Sequence, residues 1–283
     1  MKPIWKKRDE AIKLLRSFAA SATGPIELAY SGGKDSDVIL SLAHMAGIKY
    51  DGIYKNTTID PPGTLAHIRA QGDIRIVQPK YSFFELIERS GFPTRRARFC
   101  CSRLKEYKIH DFSIQGIRRA ESVKRAANYK ADDPIICRFF GSEKQHVNIV
   151  LPILNWSNED VAEFIDLAGI KCHPLYYDSN GQFCVKRRLG CLGCPLQADA
   201  GKADYVAYPK MLRQVAKSGV KWWNSHPNTR AHEKFQNAYE LLAHNLFYKS
   251  YEDWLTATIT FTGRTDWKKQ LEIYFNINLD FNL

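Results

Sequence analysis

Apolar residues recur at helical spacing over residues 8–20, where Ile12, Leu15 and Phe18 share a face, so the chain is expected to open with an amphipathic helix. Ile26-Glu27-Leu28-Ala29-Tyr30 then reads as a short strand. It runs into Ser31-Gly32-Gly33-Lys34-Asp35-Ser36, after which Val38, Ile39, Leu42 and Met45 carry a helical stripe that Gly47 closes. The alternation continues with strands at 50–54 and 74–77 and helices at 63–70 and 83–88, followed by strands at 112–117, 135–139 and 146–151. Ser157, with Asp160 three residues on, resembles a capping box ahead of Val161, Phe164, Ile165 and Leu167. Alternating segments of this kind predict an α/β fold, a mostly parallel sheet with helices on both faces. Beyond about residue 200 the strand signals thin out. Trp222, Trp223, Tyr239, Leu241, Leu242, Leu246, Phe247, Trp254 and Tyr274 predict a helical, aromatic-rich C-terminal part. The expected organisation is a domain over residues 1–200 and a helical extension over 201–283.

Composition narrows the class. With 45% hydrophobic and 25% charged residues in 283, wholesale disorder and fibrous architecture are excluded. No stretch approaches the roughly 18 apolar residues of a membrane helix, and Met1-Lys2-Pro3-Ile4-Trp5-Lys6-Lys7 has no apolar run behind its charges. A soluble, cytoplasmic protein is expected. The net charge of +11 is uneven: residues 93–130 hold 11 Lys and Arg against three acids, Glu106, Asp111 and Glu121. Such a block attracts polyanions, either nucleic acid or a phosphorylated small molecule, unless it is only a solvated face.

Two motifs carry chemistry. In Ser31–Ser36 two glycines let the backbone turn tightly and expose successive N–H groups, and the helix start behind them favours an anion such as pyrophosphate. Lys34 adds charge, Ser31 and Ser36 add hydroxyls, and Asp35 suits Mg²⁺. The spacing is not that of a Walker A loop. Seven cysteines, at 100, 101, 137, 172, 184, 191 and 194, are an odd number with two tight pairs, which favours metal or redox chemistry over a disulfide framework. Cys191-Leu192-Gly193-Cys194 is a C-x₂-C knuckle. The adjacent Cys100-Cys101 pair closes poorly on one zinc but suits a cluster whose irons it can ligate separately, so zinc is the alternative. Cys137, Cys172 and Cys184 are expected to pack as small hydrophobes, with Cys184 near enough in sequence to the knuckle to relay sulfur. Trp156 is expected in the core, and His173 as a packed turn residue.

The Ser31–Ser36 loop resembles the SGGxDS signature of the N-type ATP pyrophosphatases. The adjacent pair plus knuckle looks like the [4Fe–4S] ligand pattern of adenylyl-sulfate reductases. Together they resemble the phosphoadenylyl-sulfate (PAPS) reductase-like superfamily, whose fold is adenine nucleotide α-hydrolase-like. Other segments agree: Asn56–Pro62, which includes Thr58 and Asp60 and looks like the stretch bordering the nucleotide; Gly116–Arg125, similar to G-x-R-x-x-E/Q-S-x-x-R; Pro152–Asp160; and His173–Tyr176 leading to Cys191–Pro195. The likeness covers residues 26–196.

The resemblance implies ATP and Mg²⁺ as cofactors, with Ser31, Gly32, Gly33, Lys34, Asp35, Ser36, Thr58 and Asp60 at the nucleotide and Lys34 and Asp35 catalytic. It implies Arg118, Arg119 and Arg125 as anion-binding residues and Cys100, Cys101, Cys191 and Cys194 as ligands of a [4Fe–4S] cluster, or of Zn²⁺. Sulfonucleotide reductases carry a degenerate phosphate loop and a C-terminal cysteine nucleophile. Here the loop is intact and residues 195–283 contain no cysteine. The combination looks like the DndC type of DNA phosphorothioation protein, with cluster-containing tRNA thiolases as the nearest variant. That implies an ATP pyrophosphatase and sulfurtransferase acting on nucleic acid, DNA before tRNA, supplied by a sulfur donor such as a cysteine desulfurase. A sulfonucleotide reductase and a non-catalytic nucleic-acid-binding subunit are the alternatives.

Overall fold

The computed structural model describes residues 3–130, 133–140, 145–261 and 263–281. They form two compact units. The first comprises Met1–Asn56, Asp60–Gln78 and Lys105–Gly190; the second comprises Thr57–Ile59, Pro79–Leu104 and Cys191–Leu283. A single cut at residue 200 is therefore not how the chain divides. The second unit takes in two earlier segments because their apolar residues, Ile59, Phe83, Leu86, Ile87, Phe92 and Leu104, pack with the C-terminal helices rather than with the sheet.

The first unit contains α1 (Pro3–Ser21), β1 (Ile26–Ala29), α2 (Lys34–Ala46), β2 (Asp51–Lys55), α3 (Thr64–Arg69) and β3 (Ile74–Val77). Its sheet continues with β4 (Phe112–Ile114), β5 (Ile135–Phe140) and β6 (Gln145–Val150), and a further helix covers Asn158–Leu167. The strand order is β3-β2-β1-β4-β6-β5, parallel throughout except for β5, which pairs antiparallel with β6 at the edge. The first helix begins at Pro3, earlier than its apolar stripe alone predicts, and the strand expected over 112–117 ends at Ile114. Ile4, Leu15 and Phe18 of α1, Val38, Ile39 and Leu42 of α2, and Val161, Phe164 and Ile165 of the Asn158–Leu167 helix pack with Leu28, Ile114 and Val150 of the sheet. Along β6 the pleat turns Val147 and Ile149 into a separate small cluster with Leu151 and Leu154. Gly47 caps α2 in the left-handed conformation, and Ser157 and Asp160 form a full capping box.

Strand order positions the site. From β1 the chain moves outward to β2 and β3, then returns to lay β4 on the other side of β1. Connections therefore leave β1 and β4 in opposite directions, opening a crevice beyond their carboxyl ends, where open α/β sheets bind ligands. The two loops that leave there are Ser31–Ser36 and the segment beginning at Gln115.

The second unit is helical, as its composition predicts. It contains Phe83–Ser90, Phe99–Leu104, Lys202–Ala207, Pro209–Ser225, Arg230–Lys234, Ala238–Phe247, Tyr251–Thr258 and Trp267–Phe275, with a short hairpin of Ile259–Thr260 and Gly263–Arg264. Trp254, Leu212, Ala243, Leu271 and Leu279 are fully buried in its core. No helix among the described residues is long and apolar enough to cross a membrane.

Candidate active site and cysteine cluster

Β1 delivers the chain to Ser31, and Gly32 turns it at φ 74°, a left-handed conformation that costs a side chain energy. Gly33 is extended, at φ −85° and ψ 156°, and forms the N-cap of α2. It needs no glycine for its backbone, but an added Cβ would lie 3.3 Å from Tyr176 Oη and 3.4 Å from Ser31 Oγ. Gly33 N–H donates to Ser31 Oγ at 3.4 Å, and Leu189 N–H donates to the Tyr176 hydroxyl at 3.2 Å. Burial pushes that hydroxyl up to about 12, although the amides of Lys34 and Leu189 act the other way. Ser36 Oγ is turned inward, donating to the Gly33 carbonyl at 2.6 Å.

Lys34 and Asp35 form the polar centre. Lys34, 5% exposed, places Nζ 3.1 Å from Asp35 Oδ2 and 5.3 Å from the Tyr176 ring. Arg118 Nε donates to the other oxygen, Asp35 Oδ1, at 2.6 Å. The Asp35 carboxylate is thus held between two buried cations.

Arg118 is only 1% exposed, so it belongs to no solvated face. Its remaining donors go to the Trp156 carbonyl and Asn158 Oδ1, both at 3.2 Å. Gly116 explains how it arrives. A Cβ there would lie 2.8 Å from the Asp35 carbonyl oxygen, so only glycine lets the chain after β4 run against the loop after β1. The loop and the Gly116–Arg125 motif, distant in sequence, meet at the switch point.

The other two arginines differ. Arg119 is spent on the Tyr129 carbonyl at 2.5 Å and Asn155 Oδ1 at 2.8 Å. Arg125 pairs with Glu121, and its guanidinium is pushed down first by burial and then by the charge of Arg188, with Asp35 and Arg118 also in electrostatic reach.

A second buried network backs the loop, and the sequence reading missed it. Tyr30 Oη donates to Asp37 Oδ1, which lies 3.0 Å from His67 Nε2. His67 meets His173 edge to face, and His173 Nε2 stands 3.4 Å from Thr64 Oγ1. Burial first, then the Asp37 charge, pushes the Tyr30 phenol and the Cys172 thiol up. His173 is fully buried, and Trp156 is in the core. The one available signal was Asp37, a carboxylate inside an otherwise apolar helical stripe.

The two remaining nucleotide candidates fall in different units. Thr58 belongs to the second unit, with φ 65°, and its Oγ1 accepts from the Phe83 amide at 2.9 Å. Asp60 is in the first unit, accepting from the Tyr54 hydroxyl and standing 3.9 Å from Lys105.

All four candidate ligand cysteines fall in the second unit, each half-buried. Cys100 and Cys101 lie on the Phe99–Leu104 helix. Cys191 and Cys194 flank a turn in which Gly193, at φ 64°, donates its N–H to Asp204 Oδ2 at 2.9 Å. Gln197 braces the same carboxylate at 2.7 Å. Hydrogen bonding with Cys101, then burial, then the charges of Cys101 and Cys191, push the Cys100 thiol up. Cys100 and Cys194 both act on the buried Tyr205 hydroxyl. Four sulfurs suit an iron–sulfur cluster or zinc in kind. Among the described residues, however, no three His, Cys, Asp or Glu side chains stand in a metal-ligating arrangement. Of the other cysteines, Cys172 is buried as expected and Cys184 half-buried, but Cys137 is exposed, because β5 is an edge strand.

Residues 25–197 match the family model of the phosphoadenosine phosphosulfate reductase domain. The chain belongs to that family. Among curated proteins the chain is 30% identical over 209 residues to an uncharacterized protein of Methanocaldococcus jannaschii, covering 69% of this chain and 47% of that one. It spans about half the length of the curated relatives it matches. Among solved structures it is similar to PAPS reductase from Candida auris, at 18% identity and a TM-score of 0.46, covering 63% of this chain and 93% of that one. It is also similar to the U34-tRNA thiolase of Methanococcus maripaludis with its [4Fe-4S] cluster, at 13% identity and a TM-score of 0.41, over 80% and 82% of the two chains.

Proposed function

We propose that the chain uses ATP and Mg²⁺ to adenylate an oxygen of a nucleic-acid acceptor, releasing pyrophosphate, and that sulfur then replaces the activated oxygen, as in DNA phosphorothioation. The observation that carries this reading is the complete Ser31–Ser36 loop at the β1/β4 switch point, with Lys34 and Asp35 on the first turn of α2. The positive end of α2 and the loop amides suit a pyrophosphate leaving group. Lys34 neutralises charge that builds as the bond between the α-phosphorus and its bridging oxygen breaks. Arg118 fixes the Asp35 carboxylate, the group chemically suited to Mg²⁺.

With sulfide as the donor the chemistry balances without a redox step, and with a persulfide donor a thiol reductant supplies the two electrons that cleave its S–S bond. The acceptor oxygen forms a bond to the α-phosphorus, and pyrophosphate leaves with the electron pair. A sulfide equivalent then attacks the adenylated centre, and AMP leaves with the oxygen. Cys100, Cys101, Cys191 and Cys194 are the residues suited to hold a [4Fe–4S] cluster, which when bound supplies a site for reduced sulfur. The basic block is divided between the units, with Arg95, Arg96, Arg98 and Arg103 in the second and Lys105 to Lys130 in the first. Recruitment of a polyanion remains the use we propose for its exposed members.

The test is transfer of ³⁵S from labelled cysteine, through a cysteine desulfurase with a thiol reductant present, into DNA or tRNA under anaerobic conditions. Label is expected in nucleic acid, DNA before tRNA, only when ATP is present. The family's description favours a second reading, sulfonucleotide reduction. Sulfite released from adenylyl sulfate, with no label in nucleic acid, would establish that reading instead.

A further inference from the structure

Lys186-Arg187-Arg188 lies outside every motif discussed above, yet the structure brings it to the phosphate loop. Cys184 N–H donates to the Tyr176 carbonyl at 2.7 Å, and Leu189 N–H to the Tyr176 hydroxyl at 3.2 Å. Leu189 Cδ2 stands 3.5 Å from where a Cβ on Gly32 would be. The segment is therefore a strap across the loop.

Its two arginines are used differently. Arg187 is consumed by carbonyls, those of Leu175 at 3.2 Å and Tyr177 at 2.6 Å. Arg188 donates Nη2 to the Glu121 carbonyl at 2.8 Å, which fixes its position while leaving its side chain 63% exposed. Its guanidinium lies 4.0 Å from the Glu121 carboxylate, which already pairs with Arg125.

Two guanidiniums thus share one carboxylate. After burial, the Arg188 charge is the next largest influence holding the Arg125 guanidinium down, and Arg125 also senses Asp35 and Arg118. Among the described residues Lys34 and Arg118 pair with Asp35 while Arg125 and Arg188 both reach Glu121, so in these contacts four cations share two carboxylates. Like charges placed side by side repel, and a bound anion relieves that repulsion.

We infer that Arg188 and Arg125 form a clamp for the terminal phosphates of a nucleoside triphosphate whose pyrophosphate lies on the Ser31–Ser36 loop. The inference rests on the pyrophosphate-loop reading and adds a residue that reading does not use. Arg188 supplies charge and a planar fork, which suits phosphate oxygens. Leu189 seats the strap on Gly32, so the clamp is fixed relative to the loop.

The test is calorimetric binding of magnesium pyrophosphate, of AMP and of a short DNA duplex to wild type, Arg188→Ala and Lys186→Ala. Arg188→Ala is expected to weaken pyrophosphate binding about tenfold, the scale of one charge-assisted contact, and to leave AMP binding unchanged. Its unfolding midpoint should match wild type because the side chain is mostly exposed. Lys186→Ala, one residue from Arg187, should bind pyrophosphate as wild type does. Unchanged pyrophosphate binding by Arg188→Ala, an equal loss with Lys186→Ala, or a loss confined to DNA would overturn the clamp and leave the pyrophosphate-loop reading standing. A wild-type protein that does not bind pyrophosphate would overturn both.

Discussion

Arg118→Ala is expected to destabilise the first unit by about 3 kcal/mol and to abolish ATP turnover in the protein that remains folded. The side chain is buried and satisfies three acceptors: Asp35 Oδ1 at 2.6 Å, the Trp156 carbonyl at 3.2 Å and Asn158 Oδ1 at 3.2 Å. Truncation leaves a cavity and strands those acceptors. The Asp35 carboxylate, 14% exposed, keeps Lys34 as a partner, which holds the loss near the lower end of the range for a broken buried pair. Turnover is expected to fall further than stability, because Asp35 then loses the contact that fixes its carboxylate. Asn158→Ala removes one acceptor and should cost about 1 kcal/mol. Arg118→Lys cannot reach three acceptors with one ammonium and should recover little. Urea unfolding together with single-turnover ATP cleavage checks both parts. An Arg118→Ala protein as stable and active as wild type would show that Asp35 does not depend on this arginine.

Gly193→Ala is expected to cost the second unit about 3 kcal/mol and to disturb the knuckle between Cys191 and Cys194. Two penalties add. The residue sits at φ 64°, which a side chain adopts only with strain, and its Cβ would fall 2.4 Å from Tyr205 Cζ and Oη. Tyr205 is buried and cannot withdraw without reopening the contacts of Lys202–Ala207. Gly47→Ala is the matching control. It has the same φ of 64° but nothing within 4 Å of the new Cβ, so it should cost only about 1 kcal/mol. Unfolding curves separate the two. After anaerobic reconstitution Gly193→Ala should retain less iron and sulfide than wild type, whereas Gly47→Ala should retain as much.

Local features of both sites were legible in the sequence. The Ser31–Ser36 loop could be read because its signals are contiguous: a strand before, two glycines within, a helical stripe behind. The capping box at Ser157 and the left-handed cap at Gly47 are equally local. What the sequence did not show depends on contacts across long separations. Arg118 looks like one member of a basic block, and only the pairing of β1 with β4 brings it under Asp35. The division of the chain was hidden for a similar reason. Residues 57–59 and 79–104 lie between strands of the first unit, yet their apolar residues are buried among the C-terminal helices. Arg188 sits in a run of charges that periodicity treats as plain surface. Its position follows from the Leu189 and Tyr176 contacts.

In the function proposed above, the Ser31–Ser36 loop directs cleavage of ATP at its α-phosphate. The most direct measurement follows [α-³²P]ATP and [γ-³²P]ATP in parallel, with Mg²⁺ and a DNA acceptor, resolving products at single turnover. The α-label is expected in AMP or on the acceptor and the γ-label in pyrophosphate, with both signals lost in Asp35→Ala. Label from the γ-position in orthophosphate, with ADP as the α-labelled product, would contradict it.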